Sequence, residues 1–273
     1  MTTSIPKQPL VSVLDEQWTA LADLMAELPE PAWSTPTDLP GWSVRDVFAH
    51  VLGTEAVLDG EPTPDPGVDV AALPHVHNPI GEANERWVRA LRQQPPSQVL
   101  ARFAEVTDRR RAALAAMSQE EFDGPSWTPA GQATYGRFMQ IRVFDCWMHE
   151  QDIRAATRRP GGDDATRAEV ALDEIDRALG YIVGKLAGAP RGSSVTFALT
   201  GPRPRDRHVL VDGRAAVVPE LPAPATTTLR LPAVLFARLA GGRVRSDTHR
   251  DEIAVTGDTA LAERVLANLA YTL

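Results

Sequence analysis

The segment Arg142-Val-Phe-Asp-Cys-Trp-Met-His-Glu-Gln-Asp-Ile-Arg154 constrains the fold of this chain more than any other stretch. It sets Asp145, His149 and Asp152 at i, i+4 and i+7, which on an α-helix is one face. The same run carries Val143, Phe144, Trp147 and Ile153, so the helix is expected inside a core. An imidazole and two carboxylates taken out of water are costly to bury unless something pairs them. Two pairings suit them: a divalent metal ion, or an arginine network built on Arg142 and Arg154. Either way, neighbouring elements must enclose this helix and supply part of the partner.

The rest of the first half supplies such neighbours. Leu10, Val13, Leu14, Trp18, Leu21, Leu24, Met25 and Leu28 recur at helical spacing and predict a helix over 9–28. A proline-rich connector follows from Pro29 to Gly41. Ser43-Val-Arg-Asp46 has the shape of a capping box, with Asp in place of the usual Glu, and opens a helix to about Leu58 that carries His50. Residues 60–79 hold five prolines and no periodicity, which predicts a long loop. Helices are expected over 81–94 and 97–117, separated at Pro95-Pro96, then a Gly/Pro loop over 122–134 containing Trp127. A last helix runs from Tyr135 to Thr157.

Pro160-Gly-Gly-Asp-Asp164 breaks the pattern and reads as a linker. One more helix is expected over 164–187. Beyond Gly192 the period changes to two: Val195–Leu199, His208–Val211, Ala215–Val218, Thr226–Leu231 and Ile253–Thr256 read as strands, with a hairpin turn at Asp212-Gly213. Helices are expected over 232–240 and 258–270. The fold class is therefore all-α followed by α+β, with domains over 1–160 and 161–273.

Composition removes several classes of function. Cys146 is the only cysteine, so an intrachain disulfide and an all-cysteine zinc site are both excluded, and any metal must be held by His and carboxylate. The net charge of −8 argues against nucleic acid as a partner. The acidic surplus lies in residues 1–160, with 14 basic against 22 acidic side chains, whereas 161–273 carries 14 of each. The first half should attract a cation sooner than an anion. No apolar run is long enough for a membrane span, and the N-terminus lacks a basic, signal-like segment, so a cytoplasmic protein with no membrane partner is expected.

Of the six histidines, His50, His75, His77, His149, His208 and His249, the pair His50 and His149 stands out. His50 sits among Phe48, Val51 and Leu52, and a buried imidazole needs a hydrogen-bond partner or a metal. Asp145 and His149, one turn apart, can point at one ion. His50, Asp145 and His149 are the metal-ligand candidates, a set that leaves coordination positions open, as catalytic sites do. On the residues alone, each histidine also has a reading as a hydrogen-bonded core residue. Cys146 points about 100° away from Asp145 on the helix and reads as core. His75-Val-His77 reads as part of a solvent-facing loop, Arg109-Arg-Arg111 as a solvated helix face, and Trp42 and Trp127 as packing or pocket-lining. Nothing around Gly161-Gly162 resembles a phosphate-binding loop.

Leu39-Pro-Gly-Trp-Ser-Val-Arg-Asp-Val-Phe-Ala-His50 resembles the entry to the second helix of the mycothiol-dependent maleylpyruvate isomerase family, part of the wider DinB-like group of metal-binding helical bundles. Phe144-Asp-Cys-Trp-Met-His-Glu-Gln-Asp-Ile-Arg154 resembles the family's last-helix motif, about 95 residues further on. Ile253-Ala-Val-Thr-Gly-Asp258 before a final helix resembles its sterol-carrier-like second domain. The resemblance implies a DinB-like four-helix bundle followed by a smaller sterol-carrier-like α/β domain. It places metal ligands at His50, Asp145 and His149 and a functional carboxylate at Asp152. The isomerase in question has Glu where this chain has Asp145. One methylene fewer implies a water-mediated contact or a closer helix. An activating arginine is expected among Arg238, Arg243 and Arg245, with Arg243 favoured.

The activity so implied is that of a metal- and mycothiol-dependent isomerase or S-transferase acting on a small electrophilic, carboxylate-bearing molecule. Zinc heads the candidate ions, with iron, nickel and manganese behind it. The competing readings are a non-catalytic binder of a small ligand that retains a relic metal site, and a regulatory or dimerising module.

Overall fold

The computed structural model describes residues 4–272, which divide into two compact units, Met1–Pro160 and Gly161–Leu273. The first unit comprises α1 (Lys7–Ala26), α2 (Val44–Leu58), α3 (Pro79–Leu91), α4 (Pro96–Ala116), the one-turn α5 (Gln119–Phe122), β1 (Pro125–Thr128), β2 (Gly131–Thr134) and α6 (Tyr135–Thr157). Helices α1, α6, α2 and α4 pack in that cyclic order and close a four-helix bundle, while α3 lies on α2. Their apolar stripes supply the core: Leu14, Trp18, Leu21 and Met25 from α1, Phe48, Val51 and Leu52 from α2, Phe103, Val106 and Leu114 from α4, and Met139, Val143 and Trp147 from α6. Lys7 is buried because its ammonium group donates to the carbonyls of Leu114, Ala115 and Met117, which the C-terminus of α4 leaves without helical partners.

Helix α6 runs through the interior. Every residue from Cys146 to Ile153 is buried, including His149, Glu150, Gln151 and Asp152. That density of polar groups needs internal partners, and the bundle provides them.

Two expectations require correction in this unit. Residues 122–134 are not an irregular loop: β1 and β2 form an antiparallel hairpin that pairs Pro125 with Thr134 and Thr128 with Gly131. The hairpin is short and its alternation slight, which hides it from periodicity. Thr134, its last residue, also caps α6 by accepting from the Arg137 amide at 3.1 Å. The arginine run is not uniformly solvated: Arg110 is 2% exposed, whereas Arg109 faces Asp59 and Glu61 at the surface.

The second unit opens with α7 (Thr166–Tyr181), which continues into a π-helical turn over Ile182–Leu186. Five strands follow: β3 (Ser194–Thr200), β4 (Arg205–Asp212), β5 (Arg214–Val218), β6 (Thr227–Pro232) and β7 (Ala254–Gly257). They form one sheet in the order β5-β4-β3-β6-β7, in which β3 and β6 are parallel and the other pairs antiparallel. The Asp212-Gly213 turn joins β4 to β5. Helix α8 (Ala233–Ala240) and helix α9 (Thr259–Ala267) complete the unit, an α/β domain with α7, α8 and α9 packed on the sheet. Its core holds Val195, Phe197, Leu199, Leu229, Leu231, Phe236 and Leu261. Among the described residues no helix is long and apolar enough to cross a membrane.

Candidate metal centre

The turn before α2 fixes where His50 points. The Ser43 amide donates to Asp46 Oδ2 at 2.9 Å and the Ser43 hydroxyl donates to the same oxygen at 2.8 Å. Asp46 Oδ1 accepts from Arg92 Nε at 2.9 Å, which ties this helix start to the end of α3. One turn later His50 lies 5% exposed in the bundle, facing α6.

Asp145 and His149 meet it there. Ligating atoms of His50, Asp145 and His149 all lie within 4.8 Å of one another. His50 Nε2 is 3.4 Å from Asp145 Oδ2, and His149 Nε2 is 3.6 Å from Asp145 Oδ1. Atoms held 2.0–2.2 Å from a tetrahedral zinc ion are about 3.3–3.6 Å apart. Each His–Asp separation falls within that span, His50 against Oδ2 and His149 against Oδ1, so each imidazole faces its own oxygen of Asp145. The two rings stand edge to face with centroids 4.7 Å apart.

Asp152 sets the tautomer of His149. Its Oδ2 lies 3.0 Å from His149 Nδ1. An ionised carboxylate only accepts, so Nδ1 carries the proton and the Nε2 lone pair of neutral His149 is aimed at Asp145. This carboxylate–imidazole arrangement is the usual outer support of a metal-binding histidine. Burial opposes the imidazolium of His149, but Asp145 and Asp152 outweigh it and hold the pKa above the ordinary histidine value. For His50 burial wins over Asp145, the pKa falls, and the ring is neutral, as a ligand must be. Burial also opposes the charge on Asp145, yet Arg142, His149 and His50 together keep its carboxyl well below the usual carboxylate range.

The residues behind Asp145 form a chain that sequence reading captured only at Arg142. Arg142, 2% exposed, donates from Nη1 to Asp145 Oδ2, from Nε to Glu55 Oε1 at 2.9 Å and from Nη2 to Cys146 Sγ at 3.2 Å. Glu55, fully buried on α2, accepts from Arg110 Nε at 3.3 Å on its other oxygen, and Arg110 Nη2 reaches the Tyr135 hydroxyl at 2.8 Å. One signal was available: Phe103, Val106, Arg110 and Leu114 occupy a single helical stripe, so Arg110 stands at a core position. Arg154 belongs to a different pair. It donates to Glu150 Oε1 at 2.8 Å, while Gln17 donates to Glu150 Oε2 at 2.8 Å. The metal-type cluster and the arginine network therefore coexist, meeting at Asp145.

Trp42 stands beside the two histidines, its ring 5.4 Å from His50 and 6.5 Å from His149. Its indole N–H donates to Glu85 Oε2 at 2.9 Å; the buried Glu85 also faces His75 Nε2 at 3.2 Å and accepts from Arg89 Nε at 3.0 Å. His75 is thereby tied to the structure rather than left in a free loop. Its ring lies so close to Gly41 that a Cβ there would be 2.8 Å away, at a backbone φ of +79° that disfavours side chains in any case. Trp127, on the hairpin, is 55% exposed and takes no part. Cys146 is buried and its thiol is pushed up by that burial, which makes it inert. Arg243 lies in the second unit, just after α8, where Nη1 donates to the Gly241 carbonyl at 2.6 Å. Nearby Arg245 is exposed and paired with Asp247.

Comparison with known proteins adds to this geometry. Residues 14–154 match the family model described as the mycothiol maleylpyruvate isomerase N-terminal domain, and residues 169–264 match that of the same family's C-terminal domain. An uncharacterized protein of Mycobacterium tuberculosis, found in strains H37Rv and CDC 1551, is 27% identical over 204 residues, which is 71% of this chain and 74% of that protein. The crystal structure of the mycothiol-dependent maleylpyruvate isomerase is similar in fold, with a TM-score of 0.58, 17% identity, and coverage of 94% of this chain and 96% of that one. A point mutant of that enzyme gives a TM-score of 0.59 at 16% identity with the same coverage.

Proposed function

The chain belongs to the mycothiol maleylpyruvate isomerase family, and from that premise we propose that it is a metal- and mycothiol-dependent enzyme, an isomerase or S-transferase for a small electrophilic substrate bearing a carboxylate. The observation that carries the proposal is the cluster of the half-buried Asp145 with the buried His50 and His149, and Asp152 behind His149.

In this reading His50 Nε2, a carboxylate oxygen of Asp145 and His149 Nε2 hold a divalent ion, zinc first among those that suit two imidazoles and a carboxylate. Bound there, such an ion lowers the pKa of a thiol and keeps it as thiolate at neutral pH. The protein's residues do the rest. Asp152 holds the Nδ1 proton of His149 and so keeps Nε2 directed inward. Trp42, anchored through Glu85, shields the two imidazoles with an aromatic face.

Mycothiol held there as a thiolate would supply a nucleophile for the electrophilic carbon of an activated double bond, with the π electrons passing to the conjugated carbonyl and returning, after rotation about the carbon–carbon bond, as the thiolate leaves. If the adduct is protonated and released instead, the same site works as a transferase. The test is to supply zinc-loaded protein with maleylpyruvate, with and without mycothiol, and to follow the ultraviolet absorption of the substrate and its adducts. Isomerisation, or accumulation of a thioether, that requires both protein and thiol supports the reading. A rate equal to that of mycothiol alone, for maleylpyruvate and for a panel of α,β-unsaturated acids, overturns it.

A further inference from the structure

We propose that Arg142 is a positioning residue for the candidate ion site, one that restricts Asp145 to a single ligating oxygen and so keeps coordination positions open for the incoming thiol. The inference rests on the metal-site reading given above.

Three observations lead to it. First, Arg142 is committed on all sides: Nη1 to Asp145 Oδ2, Nε to Glu55 Oε1 at 2.9 Å, and Nη2 to Cys146 Sγ at 3.2 Å. A guanidinium is planar and presents its donors in a fixed fork. With the other two directions occupied, Nη1 has little freedom to leave Asp145. Second, the fork is itself braced. Glu55 is fully buried on α2, and its second oxygen accepts from Arg110 of α4, which also reaches the Tyr135 hydroxyl at the start of α6. Asp145, Arg142, Glu55 and Arg110 alternate in sign and link three helices, so the charges compensate one another. Third, Asp145 is the least buried member of its group, with 30% of its side chain exposed against 7% for each imidazole. A short side chain at the open edge of a site would swing freely unless held.

The consequence is chemical. A carboxylate free of other partners can chelate an ion with both oxygens and close its coordination shell. Asp145 has Oδ2, the oxygen that faces His50, engaged by a charge-assisted bond from Arg142, which leaves Oδ1, the oxygen that faces His149, as the ligating atom. Two imidazoles and one carboxylate oxygen make three protein ligands, the number typical of catalytic zinc sites, which keep a fourth position for an exchangeable ligand.

Cobalt(II) substituted for zinc reports this directly, because four-coordinate cobalt absorbs visible light far more strongly than five- or six-coordinate cobalt. The variants are Arg142→Gln, Arg142→Lys, and the double variant Arg142→Gln with Glu55→Gln, which removes one charge of each sign and leaves Asp145 and Arg110 as the remaining pair of opposite charges should the single change fail to fold. Each is checked for folding by circular dichroism before cobalt and zinc are titrated. The expected result is an intense visible spectrum in wild type and its loss in the Gln variants. Arg142→Lys, which retains one donor, should restore part of the absorption. Wild-type uptake with spectra unchanged in every variant overturns this inference alone and makes Arg142 purely structural. No cobalt or zinc uptake by wild type overturns the metal-site reading and the inference with it.

Discussion

Asp152 offers the sharpest perturbation of the site, because two substitutions separate its two contributions. Its carboxylate is buried and accepts from His149 Nδ1 at 3.0 Å. In Asp152→Asn an amide oxygen can still accept that proton, so the tautomer is retained while the negative charge that strengthens the imidazole as a donor is lost. In Asp152→Ala both are lost, and the Nδ1 proton is left buried without this acceptor. Outer-shell partners of this kind are worth about 10- to 100-fold in metal affinity. The Asn variant should sit near the lower bound, about 1.4 kcal/mol, and the Ala variant near the upper, about 2.8 kcal/mol. Competition of metal-free protein with a chromophoric chelator for zinc measures both dissociation constants on one scale. The order wild type, Asn, Ala is required. Equal affinities in all three would refute the claim that Asp152 orients His149 for coordination through Nε2.

Two further predictions concern the frame. Gly53 on α2 packs so closely on α3 that an added Cβ would lie 2.4 Å from Trp87 Cγ. Gly53→Ala gains about 1 kcal/mol of helix propensity but incurs about 1–3 kcal/mol of overpacking, so urea denaturation should show a net loss, and an equally or more stable variant would refute the close contact. In the second unit, burial pushes Asp176 up to about 6, with Asp173 adding and Arg207 only partly offsetting. A carboxyl whose folded pKa is raised binds its proton more tightly when folded, so its contribution is full below the unfolded value of about 3.9 and is lost as pH rises through about 6. After allowance for partial exposure this amounts to about 1–2 kcal/mol. Asp176→Asn should flatten that part of the stability–pH curve, and an unchanged slope between pH 4 and 6 would contradict the assignment.

The helices of the bundle were legible because each carries a long apolar stripe, and the change from period 3.6 to period 2 after Gly192 announced the sheet. What the sequence concealed was mostly polar. Glu55 and Glu85 look like ordinary helical glutamates, and only the folded bundle reveals that one neutralises two buried arginines and the other anchors Trp42 and His75. Arg110 stood in an apolar stripe but was masked by Arg109 and Arg111 beside it. The hairpin over Pro125–Thr134 is too short to show alternation. At the site, the spacing of Asp145, His149 and Asp152 on one helix gave their shared face, but the approach of His50 from another helix is a tertiary fact. Its expectation rested on burial chemistry and on resemblance, and the structure brings the three side chains together.

The central claim is that His50, Asp145 and His149 hold a divalent ion, and the direct test is elemental analysis of purified wild type beside His50→Ala and His149→Ala after equilibration with zinc and removal of the excess. The account predicts about one equivalent of metal in wild type and its loss in both variants. Wild-type protein that retains no metal, or variants that retain as much as wild type, would contradict it.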